Sequence, residues 1–100
     1  MLLQLIGNPV LNSNISVYYL GWERTSTSSS SGVCIHHPQR AQKKISIIDT
    51  LINSYPFVYQ WRYDNYSPQD THWKVQFTNG TVENVSSGSP LLNQNKCVIG

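Results

Sequence analysis

Gly32-Val33-Cys34-Ile35-His36-His37 is the stretch of sequence that decides the fold class. It is a short β-type run that ends at Pro38, and Lys44-Ile45-Ser46-Ile47 follows with the alternation of polar and apolar residues that is typical of a half-buried strand. Turn clusters separate these runs, and no long segment has clean helical periodicity. Further strands are predicted at Leu2–Ile6, Ile15–Leu20, Phe57–Trp61, Trp73–Phe77 and Cys97–Gly100. The sequence therefore predicts an all-β barrel or sandwich.

Two connecting segments have distinct compositions. Thr25–Ser31 is an unbroken run of Ser and Thr, which predicts an exposed, flexible loop. Thr78-Asn79-Gly80 carries the Asn-Gly pair and predicts a turn after the strand at Trp73–Phe77.

The composition limits the function classes. The 100 residues fit one small domain or a fragment of a larger one. Charged residues make up 12% of the chain, about half of the roughly 25% of typical globular proteins. Ser, Thr, Asn and Gln must therefore supply the polar surface, as is common in secreted β-rich proteins. A net charge of +2 with no long basic run argues against a nucleic-acid partner. No stretch is long enough to predict a membrane span, and Met1–Ile6 does not have the pattern of a signal peptide.

The strongest chemical signal is Ser86-Ser87-Gly88-Ser89-Pro90. A Ser that is flanked by small residues and followed by Gly suits a tight turn in which its hydroxyl is exposed. Successive backbone amides of such a turn can converge to form an anion site. Acyl transfer needs this combination of a nucleophile and donors aimed at the developing oxyanion. The same stretch is also common in ordinary loops, so alone it does not decide the function.

Its context carries a resemblance to a known family. Ser87–Leu91 resembles the nucleophile motif of the trypsin-like serine peptidases, Ser-Gly-Gly-Pro-Leu, with Ser89 in place of the second Gly. Together with Gly21–Arg24, Gly32–Pro38 and Lys43–Ser46, it is similar to consecutive motifs of the bacterial lysyl endopeptidases in order and approximate spacing. The resemblance implies that residues 1–100 are part of the C-terminal six-stranded antiparallel barrel of the two-barrel trypsin-like fold, truncated at both ends.

The resemblance also implies roles for individual residues. Ser87 would be the nucleophile of a secreted serine endopeptidase, and the backbone amides of Val85 and Ser87 would hold the oxyanion. Met1–Leu5 is similar to the strand after the family's catalytic Asp, so the Asp and His of the triad would lie upstream, the His in a missing N-terminal barrel. We therefore expect the 100-residue chain alone to be inactive. The implied substrate is a polypeptide cleaved after Lys or another basic residue, with no cofactor and no membrane or nucleic-acid partner.

Three residues are candidates for substrate binding. Trp61 falls where the lysyl endopeptidases carry a Trp near the substrate groove, and Glu83 is expected near the primary pocket. Thr81 takes the position, six residues before the nucleophile, at which trypsin has an Asp. Because the lysyl branch places its acidic specificity residue after the nucleophile, beyond Gly100, the primary specificity is not readable.

Val85 departs from the family pattern, which usually has Gly two positions before the nucleophile. A β-branched residue at positive φ is strained, so we expect either this strain or a flipped peptide that loses one oxyanion donor. In the flipped case Val85→Gly would raise kcat. The departure leaves open a catalytically dead homologue that acts as a binding or adhesion module. A second alternative is an unrelated secreted β-domain with a chance Ser-Gly-Ser-Pro loop, which a structure without barrel curvature or a buried Ser87 would favour.

The histidines and cysteines are expected to have structural roles. Neighbouring residues of a strand point to opposite faces, so at most one of His36 and His37 faces Ser87, and neither is predicted to be catalytic. No ligand spacing supports a metal site that combines them with His72. The family topology places Cys34 and Cys97 on strands that are not neighbours, which implies that they are not bonded to each other.

Overall fold

The computed structural model describes residues 6–8, 16 and 18–100. The strand predicted at Leu2–Ile6 therefore lies almost wholly outside the described residues, and the one at Ile15–Leu20 lies partly outside them. Its described end, Tyr18–Leu20, is irregular and exposed.

The described residues form seven strands and no α-helix, which confirms the all-β prediction. In chain order the strands are β1 Gly32–His36, β2 Lys44–Ile48, β3 Asn53–Ser54, β4 Tyr59–Gln60, β5 Tyr66–Ser67, β6 Trp73–Lys74 and β7 Leu91–Asn93. They pair in three separate antiparallel sheets, in the orders β2-β1-β7, β3-β6 and β4-β5. A single 3₁₀ turn, Pro38–Arg40, connects β1 to β2.

Strand β1 is the centre of the largest sheet. Its first residue, Gly32, pairs with Ile48 of β2 on one side and with Asn93 of β7 on the other. A Cβ atom at Gly32 would lie 2.7 Å from both the Cδ1 atom of Ile52 and the carbonyl oxygen of Leu92, so only Gly fits. The apolar core covers this point and consists of Cys34, Ile48, Ile52 and Leu92.

Several predicted strands are shorter than their sequence pattern. Of the predicted strand Phe57–Trp61 only Tyr59–Gln60 is paired, and of Trp73–Phe77 only Trp73–Lys74 is paired. β4 and β5 form a hairpin that we did not predict, and its turn has positive φ at two successive residues, Tyr63 and Asp64. Such turns usually carry Gly or Asn at these positions, and the absence of both at Tyr63 and Asp64 explains why no hairpin was predicted here.

One of the two loop predictions needs correction. Ser29, within the predicted exposed loop, is only 3% exposed, exchanges backbone hydrogen bonds with Ile52, and donates its hydroxyl to Gln94. At the predicted turn after β6 the chain bends at Thr78, and Gly80 has a positive φ of 78°. Between them, Asn79 forms an antiparallel bridge with Ile47, in which the Ile47 amide donates to the Asn79 carbonyl at 2.8 Å. This bridge leads the chain along β2 towards Ser87.

Cys97–Gly100 is not a strand, although its backbone is well bonded. The Val98 amide donates to the Gly21 carbonyl at 2.8 Å, and the Glu23 amide donates to the Val98 carbonyl at 2.9 Å. The segment therefore closes the edge of β7 through isolated bridges.

The contribution of the apolar core to stability can be tested with two residues of strand β2. Ile48 is completely buried, whereas Ile45 of the same strand is 56% exposed. We expect Ile48→Ala to lower the free energy of unfolding by about 2–5 kcal/mol, because it removes buried apolar area and leaves a cavity. Ile45→Ala is the matched control and should change it by less than about 1 kcal/mol, since surface substitutions have small effects. Equal losses in denaturant titrations of the complete gene product would contradict this core.

Candidate active site

The segment 83–89, called the nucleophile loop below, consists of two consecutive tight turns. The Ser86 amide donates to the Glu83 carbonyl at 3.0 Å, and the Ser89 amide donates to the Ser86 carbonyl at 3.2 Å. In each turn the third residue alone has positive φ, 75° at Val85 and 83° at Gly88. This pattern is typical of type II turns.

Ser87 stands at the junction of these turns and is exposed. Among the described residues, its hydroxyl has no hydrogen-bond partner, and neither do the backbone amides of Val85 and Ser87. A hydroxyl group and two amide donors on one tight loop are therefore free to bind a ligand. The exposure of Ser87 also removes one of the two conditions that would favour an unrelated domain, the burial of Ser87.

The peptide between Asn84 and Val85 has a fixed orientation. Its carbonyl accepts a hydrogen bond from the Gln39 amide at 2.8 Å, and in a trans peptide the N–H points the opposite way. Types I and II turns differ by a flip of this central peptide, and the positive φ of Val85 belongs to type II. We expected either strain at Val85 or a flipped peptide, and the structure shows the strained conformation with positive φ.

A buried hydrogen-bond chain lies directly beneath the loop. His36 is 2% exposed, and its Nδ1 atom lies 2.9 Å from Oγ of Ser86. Its Nε2 atom lies 3.0 Å from Oγ of Ser46, which donates to the Thr81 carbonyl at 2.8 Å. The Glu83 amide donates to Oγ of Ser86 at 3.3 Å. His37, by contrast, is exposed and lies 3.2 Å from the Ala41 carbonyl.

Sequence reasoning had assigned His36 to a structural strand and missed its contact with the residue next to Ser87. The signal that would have found it is the alternation of β1. Gly32, Cys34 and His36 point to the same buried side. A polar side chain on a buried face needs polar partners, and these come from the neighbouring strand and loop.

A cavity of about 470 Å³ opens beside Ser87. Val75, Phe77, Val82 and Leu91 contribute apolar wall, and Glu83 is the one charged residue among its lining residues. Thr81 does not line it; its carbonyl is held by Ser46 and its hydroxyl donates to the Val82 carbonyl at 3.3 Å. Of the substrate-binding candidates, Glu83 therefore shares a cavity with Ser87.

Trp61 lies in a second groove of about 360 Å³. The Trp61 ring is 49% exposed and contacts Tyr59 edge-on, with ring centroids 4.7 Å apart, and its Nε1–H donates to Oγ of Ser67 at 2.6 Å. The His72 ring lies 5.5 Å from it. Val75 lines both grooves, so they meet at this side chain.

Residues 1–100, the whole chain, match the family model described as lysyl endopeptidase, C-terminal domain. The chain belongs to this family. The match confirms the family resemblance on which the sequence analysis relied, and the alternative of an unrelated β-domain was wrong.

The remaining features of this lysyl endopeptidase C-terminal domain concern its thiols, possible metal ligands and possible membrane spans. Burial raises the pKa of the Cys34 thiol above its ordinary value of 9.0, so little of it is the reactive thiolate at neutral pH. Cys97 is half-buried, and both thiols are free. In the part of the chain that the structure describes, no three His, Cys, Asp or Glu residues are grouped to hold a metal ion. No helix within that part has the length and apolar character to cross a membrane.

Val85→Gly tests the strain in the first turn. A non-Gly residue at such φ costs about 1–3 kcal/mol, whereas Gly costs about 0.5–1 kcal/mol in chain entropy. We expect a net gain of about 1 kcal/mol in the free energy of unfolding of the complete gene product, from the difference between these terms.

Gly88→Ala is the matched control, because an added Cβ at Gly88 has no atom within 4 Å and feels only the backbone cost. It should therefore lower stability. A higher kcat for Val85→Gly without a gain in stability would show instead that the peptide flips in solution.

Proposed function

We propose that this chain supplies the nucleophile of a serine endopeptidase and that Ser87 is that nucleophile. The single observation that carries the proposal is the exposed Ser87 hydroxyl on a tight loop with two unbonded amides, in a chain of the lysyl endopeptidase family. The triad His and Asp are proposed to lie outside residues 1–100, in the remainder of the gene product.

In this mechanism Oγ of Ser87 attacks the scissile carbonyl carbon while a His from outside the chain takes its proton. The carbonyl oxygen becomes an oxyanion, and the amides of Val85 and Ser87 donate hydrogen bonds to it. The His then gives the proton to the leaving amine, and an acyl-enzyme forms. Water, activated by the same His, releases the acyl group and restores Ser87.

The cavity beside Ser87 supports a basic side chain as the group that precedes the cleaved bond. Its apolar walls suit the methylene stem of Lys, and the Glu83 carboxylate suits the ammonium group at its end. Thr81 is proposed to contribute through its backbone, which supports the wall of this cavity. The groove at Trp61 is proposed to bind a further part of the polypeptide, since it joins the cavity at Val75.

The wider architecture is part of the same proposal. The three described sheets are proposed to belong to the six-stranded C-terminal barrel of the trypsin-like fold, with residues 1–100 truncated at both ends. Its partner is the N-terminal barrel of the same protein. The proposed location is outside the cell, where the low charge and Ser-rich surface are common, and the proposed chemistry needs no cofactor.

Ser87→Ala in the complete gene product tests the nucleophile. We expect kcat for a lysyl ester to fall by about 10⁶, the scale seen when the serine of such a triad is removed. Ser28→Ala is the control, because Ser28 is also exposed. Its hydroxyl donates to Asn53, and both residues are distant in sequence from the nucleophile loop. Cleavage that survives in Ser87→Ala would overturn the assignment. A folded wild type that cleaves no ester would favour the dead homologue that acts as a binding or adhesion module.

The 100-residue chain itself should not cleave the same ester. Without the His there is no base to accept the Ser87 proton, and the loop alone offers only oxyanion donors. The measurement is ester hydrolysis by purified residues 1–100, compared with the Ser87→Ala form of the same length. Turnover that depends on Ser87 would show that a base within these residues suffices.

A further inference from the structure

We propose that His36 is a positioning residue of the nucleophile loop, and that it acts as a neutral imidazole with its proton on Nε2. The inference rests on the proposed function, because the loop that it holds is the one that carries Ser87. The juxtaposition behind it is the buried chain that runs from the Glu83 amide through Ser86, His36 and Ser46 to the Thr81 carbonyl.

The direction of each hydrogen bond in this chain follows from its two ends. The Thr81 carbonyl only accepts, so the single hydroxyl proton of Ser46 is used there. Ser46 must then accept from His36, which places a proton on Nε2. The Glu83 amide only donates, so Oγ of Ser86 accepts from it and is free to donate its own proton to Nδ1 of His36. Every donor has an acceptor when the ring carries one proton, on Nε2.

A charged His36 does not fit the same partners. With protons on both nitrogens, Nδ1 donates to Oγ of Ser86, which already accepts from the Glu83 amide. The Ser86 proton then has lost its acceptor inside the structure, and a buried unpaired donor is costly. Among the described residues that are at least partly buried, no buried side-chain nitrogen or oxygen lacks a partner. The neutral ring preserves this condition.

The two ends of this hydrogen-bond chain show which segment the His36 ring holds in place. Thr81 and Glu83 flank the entry to the nucleophile loop, and Ser86 immediately precedes Ser87. His36 and Ser46 belong to β1 and β2, whose register pairs Cys34 with Ser46 and His36 with Lys44. β1 and β2 therefore hold this segment at two points, Thr81 through Ser46 and Ser86 through His36. A loop held in this way keeps the Val85 and Ser87 amides in place before the substrate arrives.

Ser86 and His36 have the residue types of a catalytic pair, but their surroundings exclude that role. Ser86 is 9% exposed and His36 is 2% exposed, and both ring nitrogens already have partners. Oγ of Ser86 is also already bonded to the Glu83 amide and to His36. His36 consequently acts through Ser86 and does not touch the substrate.

The test compares three variants of the complete gene product. His36→Asn keeps an oxygen near the position of Nδ1 that can accept from Ser86, whereas His36→Gln keeps only a donor near Nε2 for Ser46. His37→Ala is the matched control, because His37 is the exposed neighbour and its ring hydrogen-bonds, among the described residues, to the Ala41 carbonyl alone. Thermal unfolding of each variant shows that it is folded, and kcat and KM for a lysyl ester are measured separately. Ser86→Ala, a smaller change at the same bond, is measured in addition to these three, and its result decides the test if His36→Gln does not fold.

We expect kcat of His36→Gln and Ser86→Ala to fall about 10- to 100-fold with KM unchanged, because a small displacement of the oxyanion amides affects only the transition state. His36→Asn should retain more activity than His36→Gln, and His37→Ala should match the wild type. Long-range ¹H–¹⁵N spectra should show a proton on Nε2 and none on Nδ1 of His36.

Wild-type kcat in folded His36→Gln and Ser86→Ala, or a proton on Nδ1, would overturn the inference while leaving the nucleophile assignment intact. Activity that persists in Ser87→Ala would instead overturn the proposed function and, with it, the role given to His36.

Discussion

The hydrogen bond between His36 and Ser86 joins strand β1, which is held rigidly within a sheet, to the nucleophile loop, which has irregular structure. β1 is fixed by strands on both sides and by the close approach of Ile52 and Leu92 at Gly32. The nucleophile loop has no strand of its own and depends on contacts with its neighbours. Because His36 ends β1 and Ser86 lies in the middle of the loop, this bond ties the loop to the rigid sheet, together with the bonds from Ser46 to the Thr81 carbonyl and from Gln39 to the Asn84 carbonyl. The small core, which includes four buried apolar residues in the described part of the chain, can in this way position a loop outside it.

Strain at Val85 is understandable from the same contacts. A strained residue persists only where its surroundings determine the backbone more strongly than its own preference does. Three bonds do so here: Gln39 to the Asn84 carbonyl, and the Glu83 amide and carbonyl to Ser86. The Gln39 amide itself belongs to a 3₁₀ turn at the end of β1. The strain in the loop is thus balanced by the connection that follows His36, which makes the β1–β2 region and the loop one structural unit.

The sequence predicted correctly those strands in which the alternation of polar and apolar residues and the pairing with a neighbouring strand extend over the same length. β1 and β2 pair over their full length, so the runs at Gly32–His37 and Lys44–Ile47 were found almost to the residue. The runs at Phe57–Trp61 and Trp73–Phe77 alternate equally well, but their partners are only two residues long, and alternation contains no information about partner length.

For the site, the motif predicted an exposed Ser87 in a tight turn and the glycine-like backbone of Val85. The burial of His36 depends on Ser46 and Ser86, which are distant in sequence, and only the three-dimensional structure brings them together.

The cavity beside Ser87 has consequences for selectivity in the proposed function. Its apolar walls favour any long side chain and do not separate Lys from Met or Leu, so among its described lining residues Glu83 alone has a charge that attracts a basic side chain. An exposed ion pair contributes only about 0.2–1 kcal/mol, which is less than a tenfold preference because tenfold requires about 1.4 kcal/mol. Glu83 is exposed in the free chain. A strong preference therefore requires that the bound polypeptide itself, covering the cavity and the groove at Trp61, excludes water from the carboxylate and strengthens its attraction for the ammonium group.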